Sequence, residues 1–336
     1  MLAMTRILVT GGLGFIGSNF IRFLLSETDY NIINIDNLSY GSNPKNLDDL
    51  EGAPRYRFVK GDISDPDLTV RLVNESDAVV NFAAETHVDR SISDSLPFHR
   101  TNVGGVLTIL EAIRKADRDV RLVQIGTDES YGDITEGSFT ESDRLTPSSP
   151  YSASKASADL YVMAYRRTYG LNACITRCTN NYGPYQFPEK LIPKTIIRAK
   201  MGLKVPIYGT GKNVRDWIYV LDHCEGVKAV LEKVKPGEIY NISSDNELDN
   251  LTIVKSILRI LKLPESFIEF VDDRPGHDLR YSLDSQKIRE ELGWLPTHTF
   301  EKGISETVSW YLSNDKWWKP LSNERTLNPT PWKLKW

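Results

Sequence analysis

Cysteine is scarce in this chain of 336 residues: there are three, Cys174, Cys178 and Cys224. An odd number without paired metal-type spacing argues against a disulfide-stapled scaffold and against a cysteine metal site, so no metal is expected. Cys174 and Cys178 lie an even number of positions apart in a strand-like run, which predicts that both face the core. No apolar stretch approaches the roughly 20 residues that a membrane-spanning helix needs. The segment before residue 6 is too short for a secretory leader and lacks its apolar centre. Nor is there a basic run, because 41 Lys and Arg stand against 45 Asp and Glu. A chain with no cationic stripe is not built to track a nucleic-acid backbone. Together these absences predict a soluble protein of a reducing, cytoplasmic compartment, with neither nucleic acid nor membrane as a partner.

What is present is a regular alternation. Short apolar runs at 6–10, 31–35, 56–60, 78–82, 120–125 and 171–178 are separated by helical patterns at 15–25, 66–74, 97–116 and 151–169. Continuous apolar strands alternating with helices predict a parallel sheet covered on both faces, an α/β doubly wound architecture of Rossmann type. Right-handed crossovers then bring the loops after each strand to one edge. After Cys178 the alternation loosens into loops rich in Pro, Gly and Asn, which reads as a smaller α/β lobe closing over that edge. The expected division is a dinucleotide-binding domain over 1–178 plus about 216–242, and a substrate lobe over 179–215 and about 243–336. Within it, 216–233 is expected to return to the main domain as a strand and a helix. The tail carries Trp310, Trp317, Trp318, Trp332 and Trp336, read as aromatic packing of a terminal segment onto the body.

The first crossover holds Gly11-Gly12-Leu13-Gly14-Phe15-Ile16-Gly17. Glycines between a strand and a helix let backbone approach a pyrophosphate, which the amino end of the helix then receives. Asp36 closes the second strand about 20 residues further on, the position from which a carboxylate binds ribose hydroxyls and repels a 2′-phosphate. That pairing favours NAD over NADP. Asp62, after the third strand, is either an adenine contact or an ordinary Asp-capped turn.

Tyr151 and Lys155 are four apart, on one face of a helix opening near Pro150. A phenol titrates near 10, so it serves as a base at neutral pH only if cations stabilise the phenolate. Lys155 and a cationic nicotinamide are the expected pair. Upstream, Thr127-Asp128-Glu129 ends a strand at the same edge. Adjacent carboxyls supply an acid and a base if their surroundings push their pKa values apart. Simple oxidation needs only the tyrosine, whereas oxidation followed by elimination needs all of them.

These residues resemble the extended short-chain dehydrogenases/reductases that act on nucleotide sugars. The carrying motifs are the glycine loop, Tyr151-Ser-Ala-Ser-Lys155 and Asn180-Asn181-Tyr182-Gly183-Pro184. Within that group the chain resembles the dTDP-glucose 4,6-dehydratase family over about residues 5–315. The longer matches begin at Ala84, Thr127, Asn181, Asn213 and Asp273 and run through Ile92, Gly132, Pro193, Trp217 and Asp278. One departure is Ser130, where the family carries an apolar residue. The resemblance implies an NAD-dependent lyase with Thr127, Asp128, Glu129, Tyr151 and Lys155 as catalytic residues. For the cofactor it implies Gly11, Gly14, Phe15, Ile16, Gly17, Asp36, Asn37, Leu38 and Ser39. To these it adds Asp62, Ile63, Phe82, Ala83, Ala84, Thr101 and Asn181, with Tyr151 and Lys155 shared. For the nucleotide sugar it implies Thr86, Thr127, Asn180, Lys190 and Leu191, with Arg215, Arg274 and His277 on the diphosphate. Pro206, Ile207, Tyr208 and Asn250 would line the base pocket. From the residues alone, Arg215 and Arg274 could equally be surface ion pairs, and His277 a structural histidine. The implied assembly is a homodimer through the helices at 97–116 and 151–169, with Val103, Val106, Ile109, Leu160, Met163 and Tyr165 as apolar positions beyond one stripe. A decarboxylase or 4-epimerase on the same fold, and an inactive NAD-binding protein, are the alternatives. Asp128 argues against the first two, and the intact Tyr151, Lys155 and carboxyls against the third.

Overall fold

The computed structural model describes residues 5–335, so Trp336 lies outside it. Among the described residues twelve strands run in chain order: β1 (Arg6–Thr10), β2 (Asn31–Asp36), β3 (Tyr56–Lys60), β4 (Ala78–Asn81), β5 (Arg121–Thr127), β6 (Ala173–Cys178), β7 (Asn180–Tyr182), β8 (Val205–Tyr208), β9 (Val214–Tyr219), β10 (Ile239–Ile242), β11 (Glu247–Asp249) and β12 (Ile268–Val271). Seven form one sheet in the order β10-β6-β5-β4-β1-β2-β3, and every pairing in it is parallel. The Rossmann-type fold is thus confirmed. Strand order reverses between β1 and β4, and a ligand crevice opens beyond the carboxyl ends at such a point.

The uninterrupted apolar strands are explained by burial on both faces. Val79 and Val80 of β4 are neighbours pointing opposite ways, and both are fully buried. Val80 joins a core with Ile7, Val9, Phe20 and Leu24, while Val79 joins another with Leu8, Ile33, Leu110 and Leu122. Each such side chain contributes about 1.5–3 kcal/mol by leaving water. Cys174, Cys178 and Cys224 all belong to the first core and are free thiols.

Three departures from the sequence pattern matter. The helix expected over 97–116 is not uniform: Leu96–Phe98 leads into a wide π-type turn, His99–Gly105, before Val106–Arg114. Such turns cluster at functional sites, and here Gly104-Gly105 weakens the regular helix. Second, β9 does not return to the main sheet but lies between β7 and β11 in a small one. The helix after it, Val220–Lys233, does pack on the main sheet beside Phe15–Glu27, and β10 then extends that sheet beside β6. Third, Val103, Val106 and Ile109 are buried within the chain, so they are not free for a dimer contact. Leu160 and Met163 are exposed, whereas Tyr165 is half-buried against the second core. In the tail, Trp317 and Trp318 are buried with Tyr311 and Ile304. Among the described residues, no helix is long and apolar enough to cross a membrane.

Candidate active site

The crevice begins where β1 ends. Gly11 turns at φ +66°, and a Cβ there would come within 2.7 Å of the Ala83 backbone. A Cβ on Gly17 would lie 2.4 Å from the Gly11 carbonyl oxygen. The loop, the first helical turn and the turn after β4 therefore meet backbone to backbone, which any larger residue would prevent. Gly14 precedes the helix Phe15–Glu27 and has no side chain to cap it. That amino end is left open to an anion. Asp36 is buried at the end of β2. Its carboxylate accepts from the Leu13 N–H at 3.0 Å, the Leu38 N–H at 2.9 Å and the Ser42 hydroxyl at 2.8 Å. Burial raises its pKa and these bonds oppose the rise. A carboxylate has about four acceptor positions, so capacity remains for a ribose hydroxyl.

One continuous cavity runs from this loop to the catalytic strand end. Of the residues expected to hold a cofactor, Gly11, Gly14, Phe15, Ile16, Gly17, Asp36, Asn37, Ser39, Ile63, Phe82, Ala83, Ala84, Thr101, Tyr151, Lys155 and Asn181 line it. Leu38 and Asp62 do not. Leu38 adopts φ +60° and packs against the core. Asp62 accepts from the Ser64 N–H and hydroxyl and from Asn37 at 2.8 Å, so it is the capped turn that holds Asn37. The π-type turn places Thr101 on the cavity wall. The next residue, Asn102, bonds Glu85 through backbone N–H and carbonyl and the Ser154 hydroxyl. A glycine cradle, an open helix end and a long cavity reaching Tyr151 together fit a dinucleotide.

At the far end, Ser149 caps the helix Pro150–Tyr169 in a reciprocal box with Ser152. Tyr151 and Lys155 are both buried on its inner face. The Lys155 ammonium donates to the Ile125 carbonyl at 2.6 Å, pinning the helix to β5. Desolvation drives the Tyr151 pKa well above its ordinary value, and the charges of Glu129, Cys178 and Asp128 add to the rise. The Thr127 hydroxyl, hydrogen-bonded to it, opposes weakly. Burial and the neighbouring negative charges therefore favour the phenol, and the expected pair of cations, Lys155 and a nicotinamide, would act against them.

Thr127 ends β5 in extended conformation and caps the short turn Asp128–Ser130. Asp128 Oδ1 accepts from the Thr127 hydroxyl at 3.0 Å and the Glu129 N–H at 2.9 Å. Its Oδ2 is buried without a partner. Desolvation, reinforced by the Glu129 charge, pushes Asp128 up to about 7. A carboxyl with one oxygen satisfied and the other bare is poised to carry a proton on the bare one. Glu129 is half-buried and raised by desolvation, but Arg274, Arg215 and Lys190 all draw it back down. Both carboxyls are thus raised by desolvation, Asp128 up to about 7, and the cations oppose the rise chiefly at Glu129. Behind them, the buried Arg177 donates to Asp159 at 2.8 Å and to the Tyr131 hydroxyl at 2.7 Å. It therefore ties the Tyr151 helix to the carboxyl turn. The Ser130 hydroxyl is buried without a partner, as an apolar residue's place would leave it.

Thr86, Thr127, Asn180 and Lys190 line the same cavity, and Lys190 donates to the Thr86 carbonyl at 3.1 Å. The remaining expected substrate residues lie beyond it in the small lobe. Arg274 is held by Asp89 at 2.7 Å, with its Nε buried and unpartnered. Arg215 donates to the Val214, Asp278 and Leu279 carbonyls over the Tyr281 ring. His277 bonds Asp273 at 2.6 Å, yet burial and then Arg274 bring its pKa down to about 4, so it is neutral. Tyr208 reaches Asp89 at 3.2 Å. Leu191 and Asn250 open the helices Leu191–Lys200 and Asn250–Ile260. Pro206 and Ile207 are buried, and Ile207 packs into a small core with Val205 and Val254.

The sequence reading passed over Asp89, Tyr40 and Glu189. Asp89 anchors both Arg274 and Tyr208, and the other two line the cavity. No local signal singles them out, since Asp89 is followed by Arg90-Ser91 and Glu189 by Lys190, like many surface acids.

Residues 8–307 match the family described as GDP-mannose 4,6 dehydratase. A dTDP-glucose 4,6-dehydratase of Xanthomonas campestris pv. campestris (strain B100) is 49% identical over 94% of this chain and 95% of its own length. The low-salt glycan biosynthesis protein Agl12 of Haloferax volcanii is 51% identical over 92% of this chain and 99% of its own. Among solved structures, the dTDP-glucose 4,6-dehydratase of Streptomyces venezuelae, with NAD and TYD bound, superposes with a TM-score of 0.93. It is 49% identical, over 95% of this chain and 100% of that one. The chain belongs to the GDP-mannose 4,6 dehydratase family, beside relatives named dTDP-glucose 4,6-dehydratase.

Proposed function

We propose that this protein is an NAD-dependent hydro-lyase that converts dTDP-glucose to dTDP-4-dehydro-6-deoxyglucose and water. The observation that carries the reading is Asp128, a buried carboxyl with a pKa near 7 and an unpartnered oxygen, beside a Glu129 surrounded by cations. NAD, held by the glycine loop and Asp36, would supply the redox half of the chemistry, reversible hydride transfer. Tyr151 accepts the O4 proton, and Thr127 hydrogen-bonds the same oxygen; the positive charge of a bound nicotinamide would favour the phenolate. Lys155 holds that helix against β5.

The C4 ketone acidifies the hydrogen on C5, which Glu129 removes as general base. Asp128 gives its proton to the departing 6-hydroxyl, which leaves as water. Glu129 then returns its proton to C5 as C6 is reduced. Over the cycle the proton gained at Tyr151 balances the one lost at Asp128. Arg274, through its free Nε, with Arg215 and Lys190, supplies the positive surroundings a sugar diphosphate needs, and neutral His277 offers a hydrogen bond rather than charge.

NAD stays in place through turnover, and Asp36 makes the site reject NADP. The working form is a cytoplasmic homodimer joined through exposed apolar residues of the helix Pro150–Tyr169, such as Leu160 and Met163. The deciding experiment incubates the enzyme with dTDP-glucose, UDP-glucose and UDP-glucuronate, then measures the absorbance of the alkali-treated 4-keto product. Tyr151→Phe serves as the inactive control. Product with water loss supports the reading. Recovery of a C4 epimer or release of carbon dioxide from a UDP-uronate would replace it with the epimerase or decarboxylase alternative.

A further inference from the structure

We infer that the C-terminal segment 327–335 is part of the nucleotide-sugar site, and that Trp332 is a positioning residue holding the Tyr208 ring. The inference rests on the substrate reading above. The segment leaves the small lobe at Leu327, which is buried and whose carbonyl accepts from Arg198 at 2.7 Å. The next carbonyl, of Asn328, accepts from the buried Lys194 at 3.1 Å. The chain then makes the short turn Pro331–Lys333. At its far end the Leu334 carbonyl accepts from the Ser93 hydroxyl at 3.1 Å. Ser93 ends the helix Val88–Ser93, which follows β4 of the main sheet. Between those anchors Lys333 pairs with Asp272 at 2.6 Å. The tail thus spans from the helix Leu191–Lys200 to the helix Val88–Ser93.

Trp332 sits at the middle of this span, edge-to-face on Tyr208 with ring centroids 4.6 Å apart and planes at 75°. Tyr208 donates to one oxygen of Asp89 at 3.2 Å, and the other oxygen holds Arg274 at 2.7 Å. Indole, phenol, carboxylate and guanidinium therefore form one chain of contacts. It ends at the buried, unpartnered Arg274 Nε, a donor that calls for an anion. Without the indole, the Tyr208 ring gains freedom, Asp89 loses a fixed partner and Arg274 loses its aim. Trp332, Tyr208 and Asp89 touch none of the reacting groups, so the main effect should fall on binding rather than on the chemical steps.

The test compares Trp332→Ala, Trp332→Phe and Ser93→Ala holoenzymes with wild type. Trp332→Ala should raise KM for dTDP-glucose roughly tenfold with kcat within about twofold, the signature of lost uniform binding. The Kd of thymidine diphosphate by calorimetry should rise in parallel. Trp332→Phe should recover most of the loss, and Ser93→Ala, which frees only the far anchor, should show a smaller rise. A merely structural role would reduce the active fraction, lowering apparent kcat at unchanged KM. That result, or an unaltered Kd, overturns the inference. Wild type that binds thymidine diphosphate but forms no 4-keto product counts against the activity alone, because the calorimetry still weighs Trp332. Wild type that binds no thymidine diphosphate overturns both.

Discussion

Two adjacent carboxyls of different surroundings divide the labour. Replacing Asp128 by Asn preserves shape but removes the transferable proton, and general acid catalysis is typically worth about 10²- to 10⁴-fold. Product formation should fall by that order, while exchange of the C5 hydrogen with solvent deuterium persists because Glu129 is intact. Glu129→Gln should abolish the exchange as well as the product. Equal exchange in the two variants would show that the assignment is reversed or shared. Asp128 also predicts a stability effect. Its folded pKa of about 7 lies above the ordinary 3.8, so the native state prefers the proton. The stability contributed by the neutral carboxyl is complete below about pH 4 and is lost as pH rises through about 7. An amide has nothing to ionise. The melting temperature of Asp128→Asn relative to wild type should therefore improve between about pH 5.5 and pH 8, as differential scanning fluorimetry would record.

The elements owe their relative placement to a few buried polar ties, of which Arg177 is the most demanding. It comes from β6, with its side chain almost wholly removed from solvent, and grips the helix through Asp159 and the carboxyl turn through Tyr131. Removing one partner of a buried pair typically costs about 3–5 kcal/mol. Arg177→Met should lose stability of that order in urea unfolding. The double variant Arg177→Met, Asp159→Leu should recover much of it, because no lone charge is left inside. The strands around this tie were readable in the sequence because each is apolar on both faces and bounded by a turn. The glycine loop and the Tyr151–Lys155 spacing were readable because local geometry sets them. Other features depend on distant partners and leave no local mark. The π-type turn exists because Asn102 must reach Glu85 and Ser154, and β9 leaves the main sheet because β7 and β11 flank it. The same limit applies to charge. That Lys155 turns to the Ile125 carbonyl, and that burial and nearby carboxylates raise the Tyr151 pKa, depends on segments distant in the chain.

At the scale of the whole molecule, Leu160 and Met163, three apart and so neighbours on the surface of Pro150–Tyr169, are each more than two-fifths exposed. A pair of this kind on the helix that carries the catalytic tyrosine suits a second copy of the chain. Light scattering at micromolar concentration should give twice the chain mass of 38.1 kDa, and Leu160→Glu should shift it towards the monomer. The three buried thiols carry one more consequence. Cys178 lies on the cavity wall with its pKa pushed up to about 12, by burial first and the Asp128 charge second. Cys174 and Cys224 are sealed in the core behind the sheet. None is a ready nucleophile as the chain stands. Alkylation of the folded protein must therefore wait for an opening, and Cys178 is the thiol whose shelter a dinucleotide would complete. Its rate of modification becomes a clock for how often the crevice empties, read by mass spectrometry without any substrate being turned over.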